Sequence, residues 1–230
     1  MEKEYVIQKL AAKKALDPDL IGFGVEGHDY ELRPTINEKS LARLENKFDL
    51  TLPEDYRHFI KNIGNGGAGP SYGLYSIEGA IMGRSSPPYK YRGRDRRKLA
   101  SQKFIRPDET KEGEWTDEEG VLILCQHGCG HDDFLVLNGK DRGTVWSYIE
   151  WVGHMLPKLK EMPDSMYMND IPQVDRPEAE KKWVNQVLSA TSEEAMTFSD
   201  WYLSWLEKPP HILPNAKRSV KTKKCWFNFF

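Results

Sequence analysis

The sequence has few cysteines, no long apolar run and little net charge, and each absence excludes a class of protein. Its three cysteines, Cys125, Cys129 and Cys225, are too few and odd in number for a disulfide framework. The absence of such a framework is typical of a protein in a reducing compartment. The longest strictly aliphatic run, Val121 to Leu124, is far shorter than a membrane-spanning helix, and residues 1–16 contain acids and lysines where a signal peptide needs an apolar stretch. A net charge of −2 excludes a global attraction to nucleic acid or anionic membrane. We therefore expect a cytoplasmic protein with no membrane association.

The composition indicates a folded protein with a strongly polar surface. Hydrophobic residues make up 39% of the 230 residues and aromatic residues 11%, which excludes a wholly disordered chain. Charged residues make up 30%, so an electrostatic partner has to be sought in local patches rather than in the net charge. The length suits one domain with additions at its ends.

Two short helices are predicted between residues 37 and 64. Asn37 is a suitable N-cap for the first helix, whose apolar face is formed by Leu41, Leu44 and Phe48. Pro53 suits the start of the second helix, in which apolar residues recur at helical spacing: Tyr56, Phe59, Ile60 and Ile63. Each helix has one apolar face and therefore needs a core to pack against.

Strands are predicted in the middle of the chain and further helices near its end. Alternating side chains favour a strand over 71–81, and short apolar runs at 121–125, 133–137 and 144–146 are separated by turn residues. Helical spacing returns at 178–188 and at 197–207, where Thr197 and Asp200 have the spacing of a capping box. Because the strands cluster in sequence, we expect an antiparallel sheet and an α+β fold.

Four stretches of the sequence resemble the SUKH superfamily, which includes the yeast cell-wall assembly regulators. They are the segments 69–78, 123–146 and 197–207, and the helix pair with Leu44-Glu45, Leu52-Pro53-Glu54-Asp55-Tyr56, Phe59-Ile60 and Asn65-Gly66-Gly67. The resemblance implies one α+β domain over residues 36–207, with an antiparallel (mixed) sheet of about five or six strands flanked by helices. Residues 1–35 are then an N-terminal extension, and residues 208–230 a basic, aromatic C-terminal tail.

The same resemblance implies a function. Many bacterial members of the superfamily are immunity proteins that bind and neutralise a cognate polymorphic toxin, often a nuclease, inside the producing cell. We therefore expect a non-catalytic protein-binding module whose partner is a toxin domain, most simply a basic nuclease. The alternative is a regulatory scaffold like the yeast members; a nucleic-acid-binding protein or a metal-dependent enzyme is less favoured.

An acidic segment is the candidate partner-binding surface. Between residues 108 and 119, seven acids stand against Lys111, and Trp115 is the one large apolar side chain. Carboxylates around an aromatic anchor suit a surface that covers a basic nucleic-acid-binding cleft, although a solvated acidic loop has the same composition. With two acids that follow the next turn, the candidate residues are Asp108, Glu109, Glu112, Glu114, Trp115, Asp117, Glu118, Glu119, Asp132 and Asp133.

A basic segment from 84 to 98 supports the competing hypothesis of nucleic-acid binding. It contains seven basic residues interleaved with Tyr89 and Tyr91. No nucleic-acid-binding motif accompanies it, and the nearby acids offer internal partners for its charges. The sequence therefore does not favour direct nucleic-acid binding.

Two motifs suggest chemistry but lack the context that the chemistry needs. Gly69-Pro70-Ser71-Tyr72-Gly73 fits the G-x-S-x-G pattern, yet a nucleophile elbow needs a strand before the serine and a helix after it, the reverse of the order expected here. Metal-ligating side chains recur at every second position in Cys125, His127, Cys129 and His131, but an extended strand spreads these four over about 20 Å. We therefore expect no catalytic residue, no cofactor and no metal ion.

Overall fold

Six α-helices and one four-stranded sheet form the part of the chain that the computed structural model describes, which is residues 1–82, 100–109, 119–128, 130–149, 154–163 and 176–212. The helices are α1 (Lys3–Leu16), α2 (Glu38–Phe48), α3 (Glu54–Asn62), α4 (Ile77–Met82), α5 (Arg176–Leu188) and α6 (Phe198–Glu207). The strands are β1 (Val121–Gly128), β2 (His131–Val136), β3 (Val145–Ile149) and β4 (His154–Pro157). Within these ranges, no helix is long and apolar enough to span a bilayer.

The sheet is a meander in which each strand pairs antiparallel with the next, in the order β1-β2-β3-β4. The predicted α+β class is confirmed, and the described residues contain four strands rather than five or six. Isolated bridges join Gly67 to Leu74 and Leu74 to Cys125 without forming a further strand. These bridges place residues 64–75, here called the glycine loop, along the edge of the sheet beside β1.

Both faces of the sheet are buried. Successive side chains of a strand point to opposite faces, and in β1 and β2 apolar side chains point to both. Leu122 and Leu135 face a larger core, which is formed with α1, α2, α3, α4 and α6. Ile123 and Phe134 face a smaller core, which is formed with α5 and Phe104. A strand covered on both faces has no polar face, which is why the start of β1 is a continuous apolar run in the sequence.

The helix starts that were predicted from local signals are confirmed. The Asn37 side chain accepts a hydrogen bond from the Ser40 N–H at 2.9 Å, and α2 begins at the next residue. Thr197 and Asp200 form a reciprocal capping box at the start of α6. Each cap satisfies donors that the first turn of a helix leaves without intrahelical partners, so these boundaries are set by nearby residues.

Aromatic rings join α3 to α6 inside the larger core. The Tyr56 and Phe198 ring centroids are 4.9 Å apart, those of Phe59 and Phe198 are 5.2 Å apart, and those of Phe59 and Tyr202 are 4.8 Å apart, all edge to face. All four side chains are almost completely buried. At roughly 1.5–3 kcal/mol for each large side chain removed from water, this cluster is a major source of stability.

The strand predicted over 71–81 is wrong for most of its length. Only Leu74 is bridged, and residues 77–82 form α4. Ser71 and Gly73 have φ values of 48° and 86°, in the left-handed region, which interrupts an extended strand. The Asn65 side chain then accepts a hydrogen bond from the Ile77 N–H at 2.9 Å, satisfying one of the first donors of α4.

The N-terminal helix shares the core of the remaining chain. Val6 and Leu10 on α1 are part of the larger core. The Lys13 ammonium donates a hydrogen bond to the Lys208 carbonyl, just after α6, and lies 4.7 Å from the centre of the Trp205 ring. Residues 1–35 therefore include a helix that packs on α6, so residue 36 does not divide two separate cores.

Candidate functional site

The register of the sheet brings a row of polar residues together. Cys125 on β1 pairs with Asp133 on β2, and Asp133 pairs with Ser147 on β3. A register shift between Ile123 and Cys125 turns the Cys125 side chain toward the larger core. His127 lies two residues further along β1, and its ring reaches the Asp133 carboxylate.

Asp133 lies at the centre of these contacts, and its side chain is only 1% exposed. Its Oδ2 accepts hydrogen bonds from His127 Nε2 at 2.8 Å and from Trp201 Nε1 at 2.9 Å. Its Oδ1 accepts a hydrogen bond from Ser147 Oγ and lies 3.3 Å from Lys158 Nζ. The Asp133 cluster comprises Asp133 and its partners Cys125, His127, Ser147, Lys158 and Trp201.

The Asp133 cluster stabilises a buried negative charge. Burial by itself raises the pKa of a carboxyl group, but here the opposing effects are larger. The positive charge of Lys158, together with the interactions of His127 and Ser147, holds the pKa of Asp133 well below its usual range. Asp133 is therefore ionised at neutral pH, and each of its oxygens has a donor, as a buried carboxylate requires.

The glycine loop contacts the cluster through Ser71. Ser71 Oγ and His127 Nδ1 share a hydrogen bond of 2.7 Å. The loop is held against β1 by a hydrogen bond from the Tyr72 N–H to the Gln126 carbonyl at 3.4 Å. Both ring nitrogens of His127 therefore have partners, Ser71 on one side and Asp133 on the other.

Hydrogen bonds link Ser71 to His127 and His127 to Asp133, as in a serine-hydrolase triad, but the surroundings of these residues differ from those of a catalytic site. In a nucleophile elbow, the backbone N–H of the residue after the serine helps to bind the oxyanion. Here that N–H belongs to Tyr72 and donates to the Gln126 carbonyl. The contacts therefore favour a structural role for Ser71.

Cys125, another member of the cluster, is completely buried. Its Sγ lies 3.5 Å from His127 Nε2 and 3.9 Å from Asp133 Oδ2. Burial raises the pKa of the Cys125 thiol well above its usual value, and the negative charge of Asp133 raises it further. The thiol is therefore protonated at neutral pH in these surroundings, and it is a weak nucleophile.

Ser71 also lines a cleft of about 170 Å³, together with Lys13, His28 and Trp205. His28 Nδ1 accepts a hydrogen bond from the Tyr30 N–H at 2.9 Å, and burial lowers the pKa of His28 to about 4, so the ring is neutral. Burial also lowers the pKa of Lys13 to about 8. The cleft is smaller than the roughly 300 Å³ at which ligand pockets usually begin, so it does not suit a metabolite-sized ligand.

Comparison with known families identifies the domain. A family model described as SMI1 / KNR4 family (SUKH-1) matches residues 35–167, more than half of the chain. The chain belongs to the SMI1 / KNR4 family. The resemblance seen in the sequence is thereby confirmed. No curated protein and no solved structure matches the chain.

One member of the Asp133 cluster lies outside the residues that match the SMI1 / KNR4 family model. Ser71 and the cluster residues from β1 to Lys158 lie inside residues 35–167. Trp201, which donates to Asp133, lies outside the match on α6. A helix outside the matched range, α6, therefore contributes a hydrogen-bond donor to the cluster.

The acidic segment 108–119 is described only at its two ends. Asp108 and Glu109 are exposed, and each has an ion pair, Asp108 with Arg106 at 3.2 Å and Glu109 with Lys140. Glu119 is partly exposed. The other candidates of this segment lie outside the described residues: Glu112, Glu114, Trp115, Asp117 and Glu118.

Both ends of the acidic segment adjoin the same turn, residues 138–143 between β2 and β3. At one end, Glu109 contacts Lys140 of this turn. At the other end, the Gly120 carbonyl accepts a hydrogen bond from the Leu137 N–H at 2.8 Å, immediately before the turn. Both ends of the acidic segment therefore lie beside the turn that joins β2 to β3.

The structure corrects the placement of Asp132 and Asp133. Both were grouped with the acidic surface, but they lie in β2 and are only 6% and 1% exposed. Their carboxylates are therefore not available to a docking partner. The exposed candidate acids of the described residues are those that flank the turn.

Of the four candidate metal ligands, the structure brings two together. Cys125 and His127 lie in the Asp133 cluster, whereas His131 pairs with Gly128 at the far end of β1 and Cys129 lies outside the described residues. Sequence reasoning missed the remaining members of the cluster, Ser147, Lys158 and Trp201. Only the requirement that a carboxylate on a buried strand have partners could have indicated that such residues exist.

Proposed function

We propose that this protein is a non-catalytic binding module that binds a cognate toxin domain, a basic nuclease, and neutralises it in the cytoplasm of the cell that makes it. The observation that supports this proposal is the family match over residues 35–167, because the superfamily it belongs to includes many bacterial immunity proteins. A regulatory scaffold of the cell-wall assembly type is the alternative within the same superfamily. The two differ in the class of partner.

The acidic segment is the proposed contact surface. Its described ends lie beside the 138–143 turn, with Asp108 and Glu109 exposed and Glu119 partly exposed, and its sequence adds Trp115 as an aromatic anchor. Rim carboxylates attract a basic partner and raise the association rate, while a buried aromatic side chain contributes most of the contact energy. The ion pairs with Arg106 and Lys140 hold the first part of the segment in place.

Charge reversal tests this surface. Changing Glu112, Glu114, Glu118 and Glu119 to Lys is expected to slow association with the toxin domain by tenfold or more at low salt, and to reduce its salt dependence. The matched control reverses four other acids, Glu2, Glu4, Glu178 and Glu193, which are exposed and alter the net charge equally. Association measured by surface plasmon resonance should be impaired only by the first set. Equal effects of both sets would mean that net charge matters and this surface does not.

Co-purification from the native cells at low salt identifies the partner. A stoichiometric toxin domain, inhibited by the purified protein in a nuclease assay, supports immunity. Recovery of cell-wall regulatory proteins instead would assign the scaffold function.

The non-catalytic part of the proposal has its own test. A fluorophosphonate probe that labels activated serines is expected to leave Ser71 unmodified, because the neighbouring Tyr72 N–H is already engaged by the Gln126 carbonyl. Stoichiometric labelling of Ser71 that is lost in His127→Ala would overturn it.

A further inference from the structure

We propose that Cys125, His127 and Asp133 form a zinc site. A thiolate, an imidazole nitrogen and a carboxylate oxygen are the donor types that zinc prefers. One donor atom from each of these residues lies within 4.8 Å of the other two. The third donor is Asp133, from the neighbouring strand, and it stands in place of a third member of the Cys-x-His-x-Cys-x-His run.

The spacing of the three donor atoms suits one ion. Cys125 Sγ to His127 Nε2 is 3.5 Å, Cys125 Sγ to Asp133 Oδ2 is 3.9 Å, and His127 Nε2 to Asp133 Oδ2 is 2.8 Å. The circle through three points with these separations has a radius of about 2.0 Å, so an ion near its centre has bonds close to those of zinc, about 2.0–2.3 Å. Small displacements of the side chains are sufficient to form all three bonds.

The surrounding hydrogen bonds are those of a metal site. A zinc-bound histidine usually donates its other ring N–H to an oxygen, and Ser71 Oγ lies 2.7 Å from His127 Nδ1 in the required position. Ser147 and Trp201 donate to the Asp133 carboxylate and fix its orientation. On binding, the Cys125 thiol releases its proton to solvent, and the His127 proton that faces Asp133 at Nε2 moves to Nδ1, so that Nε2 can bind the ion and Nδ1–H can donate to Ser71.

The position of charges and the access of solvent are also compatible with an ion. Lys158 contacts Asp133 Oδ1, the oxygen that the ion does not use. The His127 side chain is 27% exposed, which gives the ion a route from solvent, while Cys125 and Asp133 are buried behind it. Three protein ligands leave the fourth tetrahedral position for water.

Zinc titration of the metal-stripped full-length protein tests the proposal. Isothermal titration calorimetry with zinc chloride should give one ion per chain, and the thermal unfolding midpoint should rise by several degrees with excess zinc. Cobalt(II) in place of zinc should give a thiolate-to-cobalt charge-transfer band in the near ultraviolet. Absence of zinc binding by the wild-type chain overturns the proposal.

Variants assign the ligands. Cys125→Ser should abolish the cobalt band, and His127→Ala should weaken zinc binding at least about tenfold, whereas His131→Ala should not change it. The double variant Cys129→Ser, Cys225→Ser retains Cys125 as its one thiol and should keep the band. Ser71→Ala leaves all three ligands in place, so it covers the case in which a ligand variant fails to fold, and it should weaken binding by about tenfold. Binding that persists in His127→Ala, or a band lost in the double variant, contradicts this assignment.

Discussion

Replacing Asp133 with Asn removes the buried charge while keeping the shape of the side chain. The carboxylate accepts from His127 and Trp201 at one oxygen, and from Ser147 with Lys158 nearby at the other. An asparagine amide accepts at its carbonyl only, so its NH2 group must face one of these two sets of donors. Two hydrogen bonds to a charged acceptor are lost at about 1.5–3 kcal/mol each, so Asp133→Asn should reduce the free energy of unfolding by about 3–6 kcal/mol.

Urea unfolding at pH 7, followed by tryptophan fluorescence and circular dichroism, measures this loss. Ser147→Ala is the graded comparison, because it removes one donor from the same carboxylate and should cost about 1–2 kcal/mol. The pKa of Asp133 is lowered on folding, so its charge stabilises the fold fully above the ordinary aspartate pKa of about 3.9, and this contribution declines as the pH falls below that value. The difference between wild type and Asp133→Asn should therefore shrink in acid. A loss under about 1 kcal/mol, or a difference that does not change with pH, would refute the reasoning.

Three further predictions concern other buried groups and a helix cap. Arg106→Met leaves Asp141, only 2% exposed, without its 3.0 Å partner, so the free energy of unfolding should fall by about 3–5 kcal/mol and recover in part with Asp141→Asn; an unchanged urea midpoint would contradict this. Burial lowers the pKa of His28 to about 4, so as the pH falls the histidine becomes protonated in the unfolded chain before it does in the folded one. The free energy of unfolding should therefore fall by up to about 3 kcal/mol between pH 6.5 and 4. His28→Asn should lack this component in pH-dependent urea titrations, and an identical profile would exclude it. Thr197→Ala should lower stability by about 1 kcal/mol in thermal melts while Thr197→Ser preserves it, and equal losses would exclude the cap as the cause.

The parts of the fold that could be predicted from sequence are those whose causes are local. Asn37 caps α2 through a residue three positions away, and Thr197 with Asp200 caps α6 over the same distance. The segment before α4 lacks such a signal, because Asn65 satisfies the Ile77 N–H from twelve residues away. Alternation in the sequence therefore favoured a strand where a loop and a helix form.

The site was less predictable because it depends on pairing between strands. The sequence shows Asp132 and Asp133 as an acidic pair after a turn, which resembles a surface feature. The register of β1 and β2 instead places Asp133 beside Cys125, and Trp201 reaches it from 68 residues further along the chain. A contact over that distance leaves no periodic pattern, so the cluster appears only in the folded structure.

The aromatic contact between α3 and α6 has a consequence for synthesis of the chain. Phe59 packs on Phe198, and at about 5–20 residues per second the roughly 140 residues between them take about 7–28 s to translate. During that interval the apolar face of α3 lacks its permanent neighbour, and contacts of such long sequence separation also slow folding. A chain truncated after residue 190 should therefore remain protease-sensitive, and a protease-resistant truncated chain would contradict this. Until α6 emerges, the apolar face of α3 is therefore exposed to chaperones and to other apolar surfaces.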